Sequence, residues 1–342
     1  MRVVICSGGT GGHIFPACAL LEAMKQRGHE VTLITDARGD AFCADISSKV
    51  VLDTIRFSFK NLLGAGYYAL LTAAKFFRIW IHEHPDVIIG FGGVFTVIPM
   101  LVAKIFGSKI VVYEQNSVLG KANKFLERFA DLKVSSFRLD ESWVIVSPIV
   151  RDEFVKVPVG EYKCDGKIKI LIIGGSQGAA SFSQIVPQAL AMLTPQEREN
   201  IEIIQQANNY EELKWVYKSM GIKATLGRFL HYVAEIMLSS QLVICRSGAS
   251  TLSELSVTGR PAILIPYPDA TDNHQLYNAL HYKNKNAAWV LEEKAGIEKE
   301  LGEILRQILE NRELLRKASS HIMNPAIRSA ASCFVELVEQ NC

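Results

Sequence analysis

The chain has 342 residues, 49% hydrophobic and 21% charged, which excludes a disordered or fibrous protein and suits two domains of roughly 150–170 residues each. Basic residues number 37 against 35 acidic ones, a net charge of +2, so no single-signed field argues for nucleic acid as a partner. The seven cysteines are scattered and never form CxxC, the pattern of reduced thiols in a cytosolic protein rather than of a zinc site or a disulfide framework.

The N-terminus, MRVVICSGGTGG, carries one arginine and a short apolar run that breaks into glycines, unlike a secretory signal. Short β-branched runs then alternate with longer helical patterns, as βαβ units on a parallel sheet require. Strands are predicted over 2–6, 30–35, 86–91, 109–113 and 132–135. The uncharged stretch 87–103 is near the lower limit for a membrane span. It holds Gly90, Gly92, Gly93 and Pro99, and reads as a buried strand, a turn and a helix start. After Pro148 the pattern restarts, with strands over 167–173, 201–205, 224–226, 242–245, 261–266 and 287–291. Both halves open with strand, glycine cluster and helix: RVVICSGGTGGHIFPACALLEAMKQRG is answered by IKILIIGGSQGAASFSQIVPQALAML. The expected fold is therefore α/β, two doubly wound Rossmann-like domains facing across a cleft and hinged near 147–160. Ligands bind such sheets beyond the carboxyl ends of the strands.

A strand that turns through glycines into a helix leaves backbone N–H groups at the helix start, where the helix dipole favours an anion. Gly8, Gly9, Gly11 and Gly12 form one such loop; Gly174, Gly175 and Gly178 form another, with Ser176 as a hydroxyl donor. One loop alone could be only a tight turn, but two at equivalent points of two domains weaken that reading. A dinucleotide site is the rival, since Asp36 ends the second strand where a ribose-binding acid would sit. GGTGGHIF does not fit GxGxxG, because the third required glycine falls at Ile14 or Phe15.

From SGGTGGHIFPACAL onward the sequence resembles the MurG family. Further matching segments follow in order: GFGGVFTVIP, YEQNSVLGKANKF, GGSQGA, CRSGASTLSEL, GRPAILIPY and DNHQLYNA, which together span roughly residues 3–280. The resemblance implies a GT-B glycosyltransferase fold and an inverting transfer of N-acetylglucosamine from UDP-N-acetylglucosamine to the C4 hydroxyl of undecaprenyl-pyrophosphoryl-N-acetylmuramyl-peptide (lipid I), giving lipid II for peptidoglycan. It implies an N-terminal acceptor and membrane-associating domain over 1–147, a UDP-sugar domain over 148–322, and a C-terminal helix in 323–342 packing back toward the N-terminal domain. Three positions depart from the family pattern: Tyr113 replaces a histidine, SPIVR at 147–151 replaces GNPVR, and Val94 replaces a tyrosine.

The resemblance makes His13 a base or transition-state stabiliser, a role imidazole suits; the residue alone reads as a cap or packing group. Glu114 is the competing base, or else a structural carboxylate. Thr10, Gly11 and Gly12 would face the donor sugar or its diphosphate, with Asn116 in the same cleft. Ser176 resembles the diphosphate contact, and Arg151 would neutralise charge on departing UDP unless it is an ordinary domain–domain ion pair. Ala249, Ser250, Thr251, Leu252, Ser253 and Glu254 open a helix whose hydroxyls suit phosphate, or cap the helix, and whose carboxylate suits ribose. Gln275 resembles a donor-sugar contact, and Phe229 with Leu230 fits the segment whose backbone reads uracil, core packing being the alternative. No DxD pair occurs, so no metal and no cofactor are expected.

Rival readings are another GT-B UDP-sugar enzyme, such as a lipid glycosyltransferase or an epimerase, and a decayed nucleotide-binding protein. A polyprenyl acceptor stays in the bilayer, so an anionic membrane surface is an expected partner, with peripheral attachment at the cytoplasmic face of the inner membrane. The resemblance also implies contacts with other cell-wall synthesis proteins. Residues 67–84 carry Tyr67, Leu70, Leu71, Phe77, Trp80 and Ile81 among Lys75, Arg78, His82 and His84, with Lys60 upstream. This reads as a helix with one side in the domain and Phe76, Trp80 and the basic residues turned outward. A mean hydropathy of +0.16, high for a soluble chain, agrees with such a surface.

Overall fold

In the computed structural model the described residues are 1–9, 11–52, 62–174 and 180–342, without the side chains of 62–69. The chain separates into two compact units, Met1–Arg151 with Ala326–Cys342, and Asp152–Pro325, against expected boundaries at 147 and 322.

The first unit is built on seven strands: β1 (Arg2–Cys6), β2 (Glu30–Thr35), β3 (Lys49–Val51), β4 (Val87–Gly90), β5 (Lys109–Glu114), β6 (Leu132–Ser135) and β7 (Val144–Ile145). Their order is β3-β2-β1-β4-β5-β6-β7, every pair parallel. The second unit has β8 (Ile168–Ile173), β9 (Ile201–Gln206), β10 (Lys223–Gly227), β11 (Leu242–Cys245), β12 (Ala262–Leu264) and β13 (Ala288–Val290), in the order β10-β9-β8-β11-β12-β13, again all parallel. Each sheet changes direction of winding beside its first strand, between β1 and β4 and between β8 and β11. Those switch points are where doubly wound sheets open a ligand crevice.

Continuous runs of Val and Ile suit strands covered on both faces. In β1, Val3 and Ile5 enter one core with Leu20 and Leu21, while Val4 and Cys6 enter the opposite one with Ile88 and Met100. The sequence reading misses β3 and β7, three- and two-residue edge strands whose side chains are half-buried or exposed and carry no alternating signal.

The final helix, Ala330–Asn341, packs in the first unit against the helix Gly11–Gln26. Its Phe334, Val335 and Val338 are fully buried there, and Glu339 pairs with Arg27 and His29, each at 2.8 Å. Tyr113 is part of this junction. Its ring lies 5.1 Å from Phe91 and 5.4 Å from Phe334, and its hydroxyl bonds Ser136 Oγ at 2.7 Å and accepts from Ile149 N at 3.4 Å. Burial pushes its pKa up to about 12. This departure from the family pattern is thus a core residue.

The helix Leu62–Glu83 corrects one expectation. Phe76 is not turned outward but completely buried, in the core with Ile88 and Ile110. Trp80 is half-buried, donating from Nε1 to Ser108 Oγ at 3.1 Å, with its ring 4.9 Å from that of Phe106 and tilted 36° to it. The outward face instead carries Leu70, Leu71 and Ile81, with Lys75, Arg78 and His82 among them. Once the neighbouring helix Val97–Ile105 packs alongside, the Phe76 face is the one it covers. The stretch 87–103 is a strand, a short turn of 3-10 helix and the start of that helix, and no helix among the described residues is long and apolar enough to cross a membrane.

Truncating Phe334 to Ala should cost about 3–5 kcal/mol, the usual loss for a fully buried phenylalanine. Urea unfolding measures it; a loss below about 1 kcal/mol would mean that the last helix is not part of this core.

Candidate functional site

At the carboxyl edge of the first sheet, the turn after β1 is held from β2. The Asp36 carboxylate accepts from Gly9 N at 2.9 Å and Gly39 N at 2.8 Å through Oδ1, and from Arg38 Nε at 3.1 Å and a terminal guanidinium nitrogen at 2.9 Å through Oδ2. Its side chain is fully buried, so it serves the glycine loop rather than a ribose. Gly9 has φ +89°, which a side chain would resist. Thr10 lies outside the described residues; Gly11 is buried and Gly12 half-buried at the helix start.

His13, half-buried on the first turn of the helix, bonds the Phe91 carbonyl through Nδ1 at 2.5 Å. A carbonyl only accepts, so Nδ1 carries the proton and Nε2 of the neutral ring is the basic nitrogen. Phe91 follows β4, and Gly92 beside it has φ +89°, which favours glycine; a Cβ there would also stand a tight 3.3 Å from the imidazole and 3.3 Å from Asn123 Nδ2.

Glu114 ends β5, with 3% exposure. Oε1 accepts from Asn116 N and Nδ2, both at 3.0 Å; Oε2 accepts from Gly120 N at 3.0 Å and Asn123 Nδ2 at 2.9 Å. Four donors on one carboxylate fold the segment after β5 into a fixed loop. Asn116, expected at the ligand, is thereby tied to Glu114 through its amide nitrogen. Arg151, the last residue of the first unit, lies over the Phe15 ring at 4.9 Å.

In the second unit, Ser176 and the glycines at 175 and 178 lie outside the described residues. After β11 the helix Ala249–Thr258 starts at Gly248, which makes no side-chain cap bond. Ser250 and Thr251 are half-buried in its first turn, Ala249 and Leu252 are buried, and Glu254 is 5% exposed one turn in. The Ser253 hydroxyl is turned back onto the Ala249 carbonyl at 2.8 Å. Past β10, Leu230 is half-buried and Phe229 70% exposed, so core packing does not explain the phenylalanine. Gln275 is half-buried and accepts from Tyr267 N at 3.0 Å through its side-chain carbonyl. Among the described residues, no three His, Cys, Asp or Glu side chains are grouped to hold a metal ion.

The sequence reading missed three residues here. Arg246, inside CRSGASTLSEL, is a buried cation with partners on several loops. Asn123, inside YEQNSVLGKANKF, fixes Glu114, and Arg38 braces Asp36. Motif position was the only available signal for the first two.

The N-terminal domain of glycosyltransferase family 28 matches residues 3–134 and its C-terminal domain matches residues 169–332. A Rhodospirillum rubrum protein named UDP-N-acetylglucosamine--N-acetylmuramyl-(pentapeptide) pyrophosphoryl-undecaprenol N-acetylglucosamine transferase is 34% identical, over 99% of this chain and 91% of its own. A Wolbachia pipientis protein of the same name is 33% identical over 99% of each chain. Among solved structures, Acinetobacter baumannii MurG superposes with a TM-score of 0.83 at 24% identity, covering 99% of this chain and all of that one. CalG4, the calicheamicin glycosyltransferase, gives 0.68 at 11% identity, which speaks for the fold alone.

Burial alone would raise the Asp36 pKa, but the bonds from Gly9, Gly39 and Arg38 outweigh it and hold the carboxyl below its usual range. A depressed folded pKa stabilises fully above the unfolded value of about 3.9, and that share is lost as pH falls through the folded pKa. Asp36→Asn should therefore be less stable at neutral pH by about 1–3 kcal/mol, with the gap to wild type closing below about pH 4. Urea midpoints between pH 3 and 7 check this; a pH-independent gap would contradict it.

Proposed function

The chain belongs to the family of UDP-N-acetylglucosamine--N-acetylmuramyl-(pentapeptide) pyrophosphoryl-undecaprenol N-acetylglucosamine transferases, and from that membership we propose that it transfers N-acetylglucosamine from UDP-N-acetylglucosamine to the C4 hydroxyl of lipid I, yielding lipid II and UDP. The observation that carries the reading is identity of about a third along essentially the whole chain, with both family domains in order.

His13 is the base. With Nδ1–H spent on Phe91, Nε2 takes the proton of the acceptor hydroxyl as its oxygen bonds the anomeric carbon. The bond from that carbon to the diphosphate breaks, UDP leaves with the electron pair, and the configuration inverts. Glu114 positions the loop that carries Asn116, since four N–H donors already occupy its oxygens. The C-terminal unit binds the donor. The half-buried hydroxyls of Ser250 and Thr251 at a helix start suit the diphosphate, together with the loop of Ser176. Glu254 takes the ribose hydroxyls, Gln275 the sugar, and the backbone at Leu230 the uracil. Ala249, Leu252 and Ser253 contribute through the backbone only. Thr10, Gly11 and Gly12 approach the sugar or its diphosphate, and Arg151 offsets charge on the leaving group.

The acceptor's lipid requires the enzyme to work at the cytoplasmic face of the bacterial plasma membrane, as a peripheral protein. Leu70 (71% exposed), Ile81, Ile105 (76%) and Phe106 supply an apolar surface on two packed helices, with Lys75, Arg78 and His82 beside it. Such a surface suits the headgroup layer of anionic lipid.

The function is tested by UDP release from UDP-N-acetylglucosamine with and without a lipid I analogue. Release should depend on the acceptor and fall at least about a hundredfold in His13→Ala, while UDP binding stays within a few-fold. No acceptor dependence refutes the activity, and near-normal turnover of His13→Ala refutes the base. For the membrane, the protein should co-sediment with phosphatidylglycerol vesicles, partly released by salt, and Leu70→Ser/Ile105→Ser should bind at least about fivefold less. Failure of the wild type to bind would sink the proposal.

A further inference from the structure

Arg246 directly follows β11, at the switch point of the second sheet, and is only 8% exposed. One guanidinium nitrogen donates to the Ile265 carbonyl at 3.2 Å and the Pro266 carbonyl at 3.1 Å, and pairs with Glu293 at 2.5 Å. The other donates to Ser181 Oγ at 3.1 Å. The guanidinium carbon lies 4.7 Å from the Phe182 ring centre and 5.4 Å from that of Tyr267. One buried cation thus joins the loops that follow β8, β12 and β13. A lysine could not do this, because a single ammonium lacks the planar fork that reaches several acceptors at once.

The bonds continue to Gln275. The peptide that Arg246 fixes through the Pro266 carbonyl presents Tyr267 N–H, which donates to Gln275 Oε1 at 3.0 Å. From the other side, Ser247 Oγ donates to the Gln275 backbone carbonyl at 2.8 Å, and Asn278 Nδ2 donates to the Ser247 carbonyl at 3.3 Å. The dipeptide Arg246–Ser247 therefore grips both the main chain and the side-chain carbonyl of Gln275. The bond from Tyr267 N–H fixes which end of the amide is the oxygen, so the amide cannot flip without losing it. The NH2 group at the other end suits an acceptor oxygen, such as a sugar hydroxyl oxygen or an acetamido carbonyl.

We infer that Arg246 is a positioning residue for the donor sugar, acting through Tyr267 and Gln275; this rests on the reading above that Gln275 meets that sugar. The sugar moiety is affected while the nucleotide is not, which separates this role from general support of the fold. Arg246→Lys should lower kcat/KM for UDP-N-acetylglucosamine by roughly ten- to a hundredfold, the scale for a misplaced contact, with UDP affinity within about threefold of wild type. Its effect should vanish in a Gln275→Ala background, as coupled residues are non-additive. Additive losses in the double variant overturn the inference and leave the Gln275 reading standing. If Gln275→Ala alone leaves kcat/KM unchanged, the Gln275 reading fails and the inference with it. Should the lysine variant not fold, Ser247→Ala carries the same expectation, and an unchanged kcat/KM there overturns it.

Discussion

A charge buried at the end of a strand persists only when its hydrogen bonds are complete, and three such charges shape the carboxyl edges of the two sheets. Asp36 follows β2, Glu114 ends β5 and Arg246 follows β11. Each is held almost entirely by groups on the segments leaving the sheet. The loop therefore adopts the one path that satisfies the ion. Backbone segments that would otherwise be mobile connections become rigid supports for His13, Asn116 and Gln275.

Why these ions stand at that edge follows from the sheets. All strands within each unit run parallel and the central ones are covered on both faces, so one edge collects all the turns in which a strand ends. Apolar side chains fill the faces, and polar ones are left to the rim, where peptide groups need partners. Two of the three ions are carboxylates that take backbone N–H donors, and the third is a guanidinium that takes backbone carbonyls. Each sign thus meets the backbone group that complements it.

The central strands were legible because runs such as VVIC, VIIG and LVIC are apolar throughout and bounded by glycines or polar residues. The orientation of the helix Leu62–Glu83 was not. Leu70, Leu71, Phe76, Phe77, Trp80 and Ile81 place apolar groups on more than one face, and periodicity cannot choose which face packs. Tyr113 was visible as a departure, yet its meaning depends on Phe334, far along the chain. Arg246 was hidden for the same reason. Its partners at 181, 265, 266 and 293 are distant in sequence, and only the folded sheet gathers them. Motifs named the candidate residues, whereas the supports beneath them are long-range and belong to packing.

The first unit is closed by the last segment of the chain, so the second unit is an insertion within it. On a ribosome the strands β1 to β7 emerge early, while the helix that covers Tyr113 and the face of Leu20 and Leu21 emerges only after the second unit. The inserted unit, being sequence-continuous, can fold as soon as it is released, ahead of the unit that began synthesis first. Until that helix arrives, an apolar face of the first unit stays uncovered. A stalled or prematurely terminated chain would therefore be marked by that exposed surface, with a complete second unit and an unfinished first unit on the same polypeptide.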